Sequence, residues 1–223
     1  MSKNTVEEGV FSLSLGDLMA ALLLIFILML SATLLKLKDQ DPTGVYFNKR
    51  ESLIDSLNQE FKDDLPKWGA EFHPEKISIV FTSPDVLFET GKATVKPHFK
   101  KILDDFIPRY LKVLSDEKFK EYIDEIRVEG HSSLGFGKLT QIEAYYMNMD
   151  LSQERTRNVL RYILTNNVKA TLLEWTRANI TANGLSSSKP ILINGEYSAK
   201  YSKRVEFRVR LNANSILNEA LEN

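Results

Sequence analysis

From Leu18 to Leu35 the chain reads LMAALLLIFILMLSATLL, an apolar run interrupted by Ser31 and Thr33 alone. Extended back to Phe11, the run covers about 25 residues, or ~37 Å of helix at ~1.5 Å per residue. A bilayer core of ~30 Å needs about 20 residues, so the run is long enough to span one. The competing reading is a cleaved signal peptide, which has a cationic flank, a shorter apolar stretch and small residues at its cleavage site. Here Lys3 is set against Glu7 and Glu8, and no small-residue cleavage pattern follows. The pattern predicts an uncleaved membrane helix over 13–36, preceded by a short segment, 1–12.

Beyond that helix the periodicity changes. Turn residues DQDPTG at 39–44 end the apolar run. Phe47, Ile54, Leu57, Phe61 and Leu65 then recur at three, four or seven, the spacing of an amphipathic helix within a connector at 37–75. Such a helix is open to two readings: a dimer-forming or gating element just outside the membrane, or a helix packed on its own domain. Pro66 and Pro74 bracket the approach to a folded domain at 76–223. There, KISIVF at 76–81 reads as a strand, and Gly91 and Pro97 punctuate the loop VLFETGKATVKP. Residues 98–123 carry Phe99, Ile102, Leu103, Phe106, Tyr110 and Leu114 at helical spacing, with Pro108 expected to kink or split the helix. EIRVEG at 125–130 makes a second strand, ending at Gly130 and His131. A helix over 151–167 presents Val159, Leu160, Ile163 and Leu164, and Asp150 with Gln153 resembles a capping box at its start. NITANG at 179–184 is a short third strand. In RVEFRVRL at 204–211 Val205, Phe207, Val209 and Leu211 alternate with charges, as in a strand with one buried face. The order β-α-β-α-β-β predicts an α/β sandwich with helices on one face of a mixed sheet.

Composition narrows the chemistry. A chain of 223 residues holds one domain plus accessory segments, and a net charge of −1 gives no strong pull towards nucleic acid. The absence of cysteine excludes disulfides, thiolate metal sites and cysteine nucleophiles. With three histidines and no paired-carboxylate or Ser/His/Asp pattern, neither a metal cluster nor a catalytic constellation is readable, and no cofactor or enzymatic activity is expected. Asp17 stands out, between Gly16 and Leu18 at the start of the strongest apolar stretch. Hydrocarbon makes a buried carboxylate so costly that its neutral, protonated form becomes accessible, which is what an ion-carrying site needs. The alternative is an interfacial helix start, where the charge would favour the helix dipole. Lys36 and Lys38 after the helix would by charge alone hold the C-terminal side in the cytoplasm.

Several short patterns, taken in order, resemble the OmpA-like peptidoglycan-binding domain over roughly 76–212. They are the strand before V-L-F-E-T-G, E-G-H-S-S at 129–133, N-M-D-L-S-Q-E-R at 148–155 and K-R-V-E-F at 203–207. The resemblance implies a periplasmic domain that binds the diaminopimelate of the wall peptide. Arg155 then grips a carboxylate with the planar fork of its guanidinium. Asn148, Leu151, His131, Ser132, Ser133 and Arg204 complete the implied peptidoglycan-binding set. Where the family carries an aspartate after G-H-T this chain has Ser133, so the ammonium contact passes to Asp150 or is absent. Without the motif, His131 would read as a structural histidine and Arg155 as a surface ion pair.

The membrane segment, S-L-x-D followed by apolar residues, is similar to that of the MotB family. By that resemblance Asp17 carries ions, and a homodimer of this chain sits within a pentamer of a polytopic MotA-like inner-membrane subunit. Residues 45–65 would then compare with the plug of flagellar stators. The insertion SSLGFGKLTQIEAYYM between His131 and Asn148, followed by N-M-D-L-S, looks like the MotB-like subunit of the Zorya anti-phage defence system, as does the short N-terminus. The function implied is a proton-driven motor subunit anchored to peptidoglycan, with residues 1–12 cytoplasmic and 76–223 periplasmic. A flagellar MotB-type stator subunit and a passive OmpA-like wall anchor are the alternatives, and a wall hydrolase is a third with no readable site.

Overall fold

The computed structural model describes residues 4–39, 42–82, 87–89 and 91–216. Two units are present, an N-terminal one containing the first helix and a second spanning Tyr46–Ile216. Helix α1 (Asn4–Asp39) is one uninterrupted rod, as expected of leucine-, alanine- and methionine-rich sequence. Its segment Gly16–Leu35, with mean hydropathy 2.8, is long and apolar enough to cross a membrane. Every side chain in that stretch is exposed, Phe26 and Met29 included, so the stretch Gly16–Leu35 presents apolar residues all round.

The second unit is built on a five-stranded mixed sheet. Its strands are β1 (Ala70–His73), β2 (Ser78–Phe81), β3 (Ile123–His131), β4 (Ile180–Gly184) and β7 (Arg204–Leu211), in the spatial order β1-β2-β7-β3-β4. All neighbours are antiparallel except β3 and β4. Between β4 and β7 lie the small hairpin β5 (Leu192–Ile193) and β6 (Glu196–Tyr197) and a turn of helix, α7 (Ala199–Ser202). Alternation sends Ile126 and Val128 of β3 and Val205, Phe207 and Val209 of β7 to one face. They share a core there with helices α2 (Pro42–Phe61), α4 (Pro97–Leu114) and α5 (Gln141–Asn166). At its centre Phe106 meets Phe61, Phe81 and Phe207 at ring-centroid distances of 5.2, 5.5 and 5.1 Å.

Several boundaries differ from the sequence expectation. The connector expected over 37–75 is largely folded domain. Leu53, Ile54, Leu57 and Phe61 of α2 are buried in the domain core, Leu65 of the short α3 (Leu65–Trp68) joins them, and β1 is an edge strand. Arg109 ties the end of α2 to α4, its Nε donating to Glu60 at 2.7 Å and one Nη to Asp64 at 3.0 Å, while the guanidinium lies over Phe61. Pro108 does not split α4, which runs unbroken through it. That helix stops at Leu114 rather than running to 123, and a 3₁₀ turn at Lys120–Tyr122 leads into β3.

The largest correction concerns α5. Its cap is Thr140 paired with Glu143 in a reciprocal capping box, ten residues before the start expected at Asp150, which lies inside the helix. The second part of the expected insertion loop, 141–147, is therefore helix, and residues 132–140 are loop. The missed turns bury only Ala144 and Asn148, small or polar residues that give no apolar stripe. Helix α6 (Leu173–Asn179), α7 and the hairpin were not expected either. They are too short to show a period.

Candidate functional site

Two glycines let α5 lie close to the sheet. A Cβ on Gly130 would sit 2.8 Å from Thr156 Cγ2, and one on Gly184 would collide with the backbone of Gln153. Hydrogen bonds fix the contact: Gly184 N–H donates to Gln153 Oε1 at 3.0 Å, and Ser186 N–H donates to Ser152 Oγ at 3.1 Å. With α5 so placed, Asn148, Leu151 and Arg155, spaced by three and four, line up on one side of the helix.

Each has a defined role there. Asn148 is buried, and its amide donates to the carbonyls of Ser133 at 3.0 Å and Gly135 at 3.4 Å, shaping the loop that follows β3. Arg155 is half-buried. Its Nε donates to the Lys92 carbonyl at 3.0 Å and its guanidinium carbon stands 4.9 Å from the centre of the Phe88 ring. Leu151 supplies an apolar floor. Together these pieces enclose an open cleft of about 280 Å³. The β3 loop adds Ser132, Ser133 and Phe136, the segment before α4 adds Phe88 and Glu89, and Lys203 comes from the approach to β7. Lys92 pairs with the Glu89 carboxylate at 2.6 Å and, chiefly through that hydrogen bond, holds the carboxyl below its ordinary range, so it is ionised.

Five expected site residues thus come together: Asn148, Leu151, Arg155, Ser132 and Ser133. The other three do not line the cleft. Asp150 is exposed and borders a separate groove with Gln153, Glu154 and Arg157. His131 and Arg204 lie buried on the opposite face of the sheet. On that face β3 and β7 set Glu129 against Glu206 and His131 against Arg204. Contacts to arginines two residues away on the same strand resolve the like charges. Arg127 pairs with Glu129 at 3.1 Å and Arg204 with Glu206 at 3.4 Å, while His131 Nε2 lies 3.5 Å from Glu129 and 3.6 Å from Glu206. Two arginines balance two carboxylates when His131 is neutral. Burial pushes the imidazole in that direction, against the pull of Glu129. Burial raises the Glu129 carboxyl, but contact with His131 and Arg127 outweighs it and leaves the group below its usual range. The donor atoms of Glu129, His131 and Glu206 fall within 4.8 Å of one another, yet the arginines already neutralise both carboxylates, so the cluster reads as a buried brace between strands.

Glu89, Lys203, Phe88 and Phe136 are cleft residues that sequence reasoning did not single out. Glu89 stands in the V-L-F-E-T-G pattern, and that pattern was its one available signal. Asp17 is exposed on α1.

Sheet, helices and cleft together define a domain of the OmpA family, whose sequence model matches residues 87–204. More specifically, the chain belongs to the ZorB family. It is 41% identical over 207 residues to the Zorya protein ZorB of Escherichia coli strain Crooks, covering 90% of this chain and 87% of that protein. Among solved structures, a MotB-like protein from Desulfovibrio vulgaris aligns at 19% identity with a TM-score of 0.48, over 73% of this chain and 96% of that one. The cell wall anchor of the type VI secretion system from Pseudomonas aeruginosa aligns at 20% identity and 0.46, over 70% and 97%.

Proposed function

We propose that this chain is the wall-anchored subunit of an ion-driven membrane motor that acts in anti-phage defence. Helix α1 spans the inner membrane once, with the N-terminus in the cytoplasm and the folded domain in the periplasm. Two copies sit within a pentamer of a polytopic MotA-like subunit. There Asp17 alternates between charged and neutral forms, and each charge crossing the membrane is worth ~2.3 kcal/mol per 100 mV. The domain holds peptidoglycan, giving the motor a fixed point to work against.

The observation that carries this reading is the cleft. Asn148 orders its loop, Leu151 floors it, and Arg155 is held in place by Lys92 and Phe88 for a carboxylate of the wall peptide. Membership in the ZorB family supports the defence role. Co-sedimentation of the detergent-solubilised full chain with purified peptidoglycan tests the anchor. Arg155→Ala removes a charge-assisted pair worth ~1.5–3 kcal/mol, so binding weakens roughly tenfold to hundredfold. Arg155→Lys keeps the charge without the fork and recovers only part of it. Undiminished sedimentation of Arg155→Ala would remove the cleft from the account.

A further inference from the structure

Residues 190–193 read Pro-Ile-Leu-Ile, an apolar run that ends at the turn Asn194–Gly195 of the β5–β6 hairpin. Both turn residues have positive φ, 52° and 84°, as the tight turn favoured by Asn-Gly requires. Leu192 is 60% exposed and Ile193 44%. The hairpin that carries them is fastened at its base. Ile191 N–H donates to Ser202 Oγ at 2.9 Å, Ser198 N–H to the Ile191 carbonyl at 2.9 Å, and Leu134 N–H to the Tyr197 hydroxyl at 2.8 Å. A braced hairpin thus holds aliphatic side chains out in water, an arrangement that an apolar covering would stabilise. We propose that this hairpin docks the domain on an anionic phospholipid bilayer, with Leu192 and Ile193 entering the boundary of the acyl chains and the lysines around them meeting lipid phosphates. It goes beyond the wall cleft and rests only on α1 spanning a bilayer.

The charges beside the tip fit a lipid surface. The segment 185–203 carries Lys189, Lys200 and Lys203 against one carboxylate, Glu196. Lys189 and Lys200 are exposed, and among the described residues neither is in an ion pair. Lys189 and Lys76 line a groove of about 430 Å³ with Pro190, Ile191, Ile193 and Tyr201, and Lys200 Nζ stands 5.4 Å from the centre of the Tyr201 ring. The carboxylates of that groove are already engaged, Glu71 beside His73 and Glu206 with Arg204. An apolar tip, tyrosines behind it and a collar of lysines match the layers of a bilayer interface: acyl boundary, headgroup level and anionic surface. A bilayer is also at hand. Residues 36–45 alone separate the apolar stretch ending at Leu35 from the folded unit beginning at Tyr46, so a spanning helix keeps the hairpin close to lipid.

The chain has no cysteine of its own, so a single introduced thiol carries a single label. The test places the full chain in lipid nanodiscs, either of phosphatidylcholine alone or enriched in phosphatidylglycerol, each with a trace of nitroxide-labelled lipid. An environment-sensitive fluorophore is attached at Leu192→Cys on the hairpin or, as a control on the same domain, at Glu117→Cys. In the anionic discs the label at 192 is expected to shift to the blue and be quenched by the nitroxide, while the label at 117 stays in water. Lys189→Gln and Lys200→Gln are each expected to lower the ratio of docked to free hairpin roughly fivefold, and high salt to lower it further. Equal quenching at 192 and 117 in the anionic discs overturns the proposal. Quenching at 192 that is the same in both kinds of disc and indifferent to the lysine variants overturns the choice of an anionic lipid. A blue shift without nitroxide quenching means that protein covers the tip, and overturns it as well. A label at Leu28→Cys in α1 reports separately on the helix: if nitroxide lipid fails to quench it, the spanning reading fails and the docking hairpin with it.

Discussion

Arg155 reaches the cleft preorganised. One donor is committed to a backbone carbonyl and the guanidinium lies over an aromatic ring, so little side-chain freedom is left to lose on binding. Its place beside Asn148 and Leu151 was legible because the spacing Asn-x-x-Leu-Ser-x-x-Arg falls within two turns of one helix. Glu89 and Lys203 were not, since folding brings them to the cleft from distant parts of the chain. His131 teaches the reverse: adjacent in sequence to Ser132 and Ser133, it points through the sheet to the other face. Its buried, depressed ionisation has a measurable consequence. Below its ordinary value of 6.5 the unfolded chain takes up a proton that the folded one refuses, so stability falls as pH drops from there towards the lower folded value. Glu129, depressed from 4.5, gives the same sign in the range below 4.5. The melting temperature of the domain is expected to fall between pH 7 and pH 5, and His131→Gln to flatten that window. An unchanged slope in the variant would contradict the buried neutral histidine.

Among the elements, α2 decides most about the molecule. Its periodicity was read correctly, but periodicity cannot say what an apolar stripe faces, and both a gating helix and a self-packed one fit it. In the structure Leu53, Leu57 and Phe61 are all but fully buried against α4 and the sheet, and of the expected stripe Phe47 alone is exposed. Leu57→Ala is expected to destabilise the domain by about 2–5 kcal/mol, the cost of a large-to-small change in a packed core. A thermal melt of the full chain in detergent that did not move would show α2 to be an independent element. Four of the five sheet strands and α4 were legible, β7 and α4 through a clean apolar period, whereas β1 lay in the stretch read as connector. The first turns of α5 were not, because their buried positions are Ala144 and Asn148. Yet Thr140 and Glu143 stood in the sequence as a capping box, in a stretch read as loop.

At the scale of the whole chain, a bare apolar helix and a folded binding domain imply different environments for the two units. The helix's stretch Gly16–Leu35 has no polar face, so lipid and partner helices are the surroundings it suits. Asp17 stands near the start of its apolar stretch, where an ionisable group is costly unless it works. Anchoring alone would need no such residue, whereas a motor fixed to the wall needs both the ion site and the anchor. The most direct test is phage plating efficiency on bacteria carrying the native gene cluster, comparing wild type with Asp17→Asn at equal protein level. Asparagine keeps the shape and cannot exchange a proton, so the account predicts that protection is lost. Protection undiminished in Asp17→Asn would contradict the ion-driven mechanism and leave a passive wall anchor.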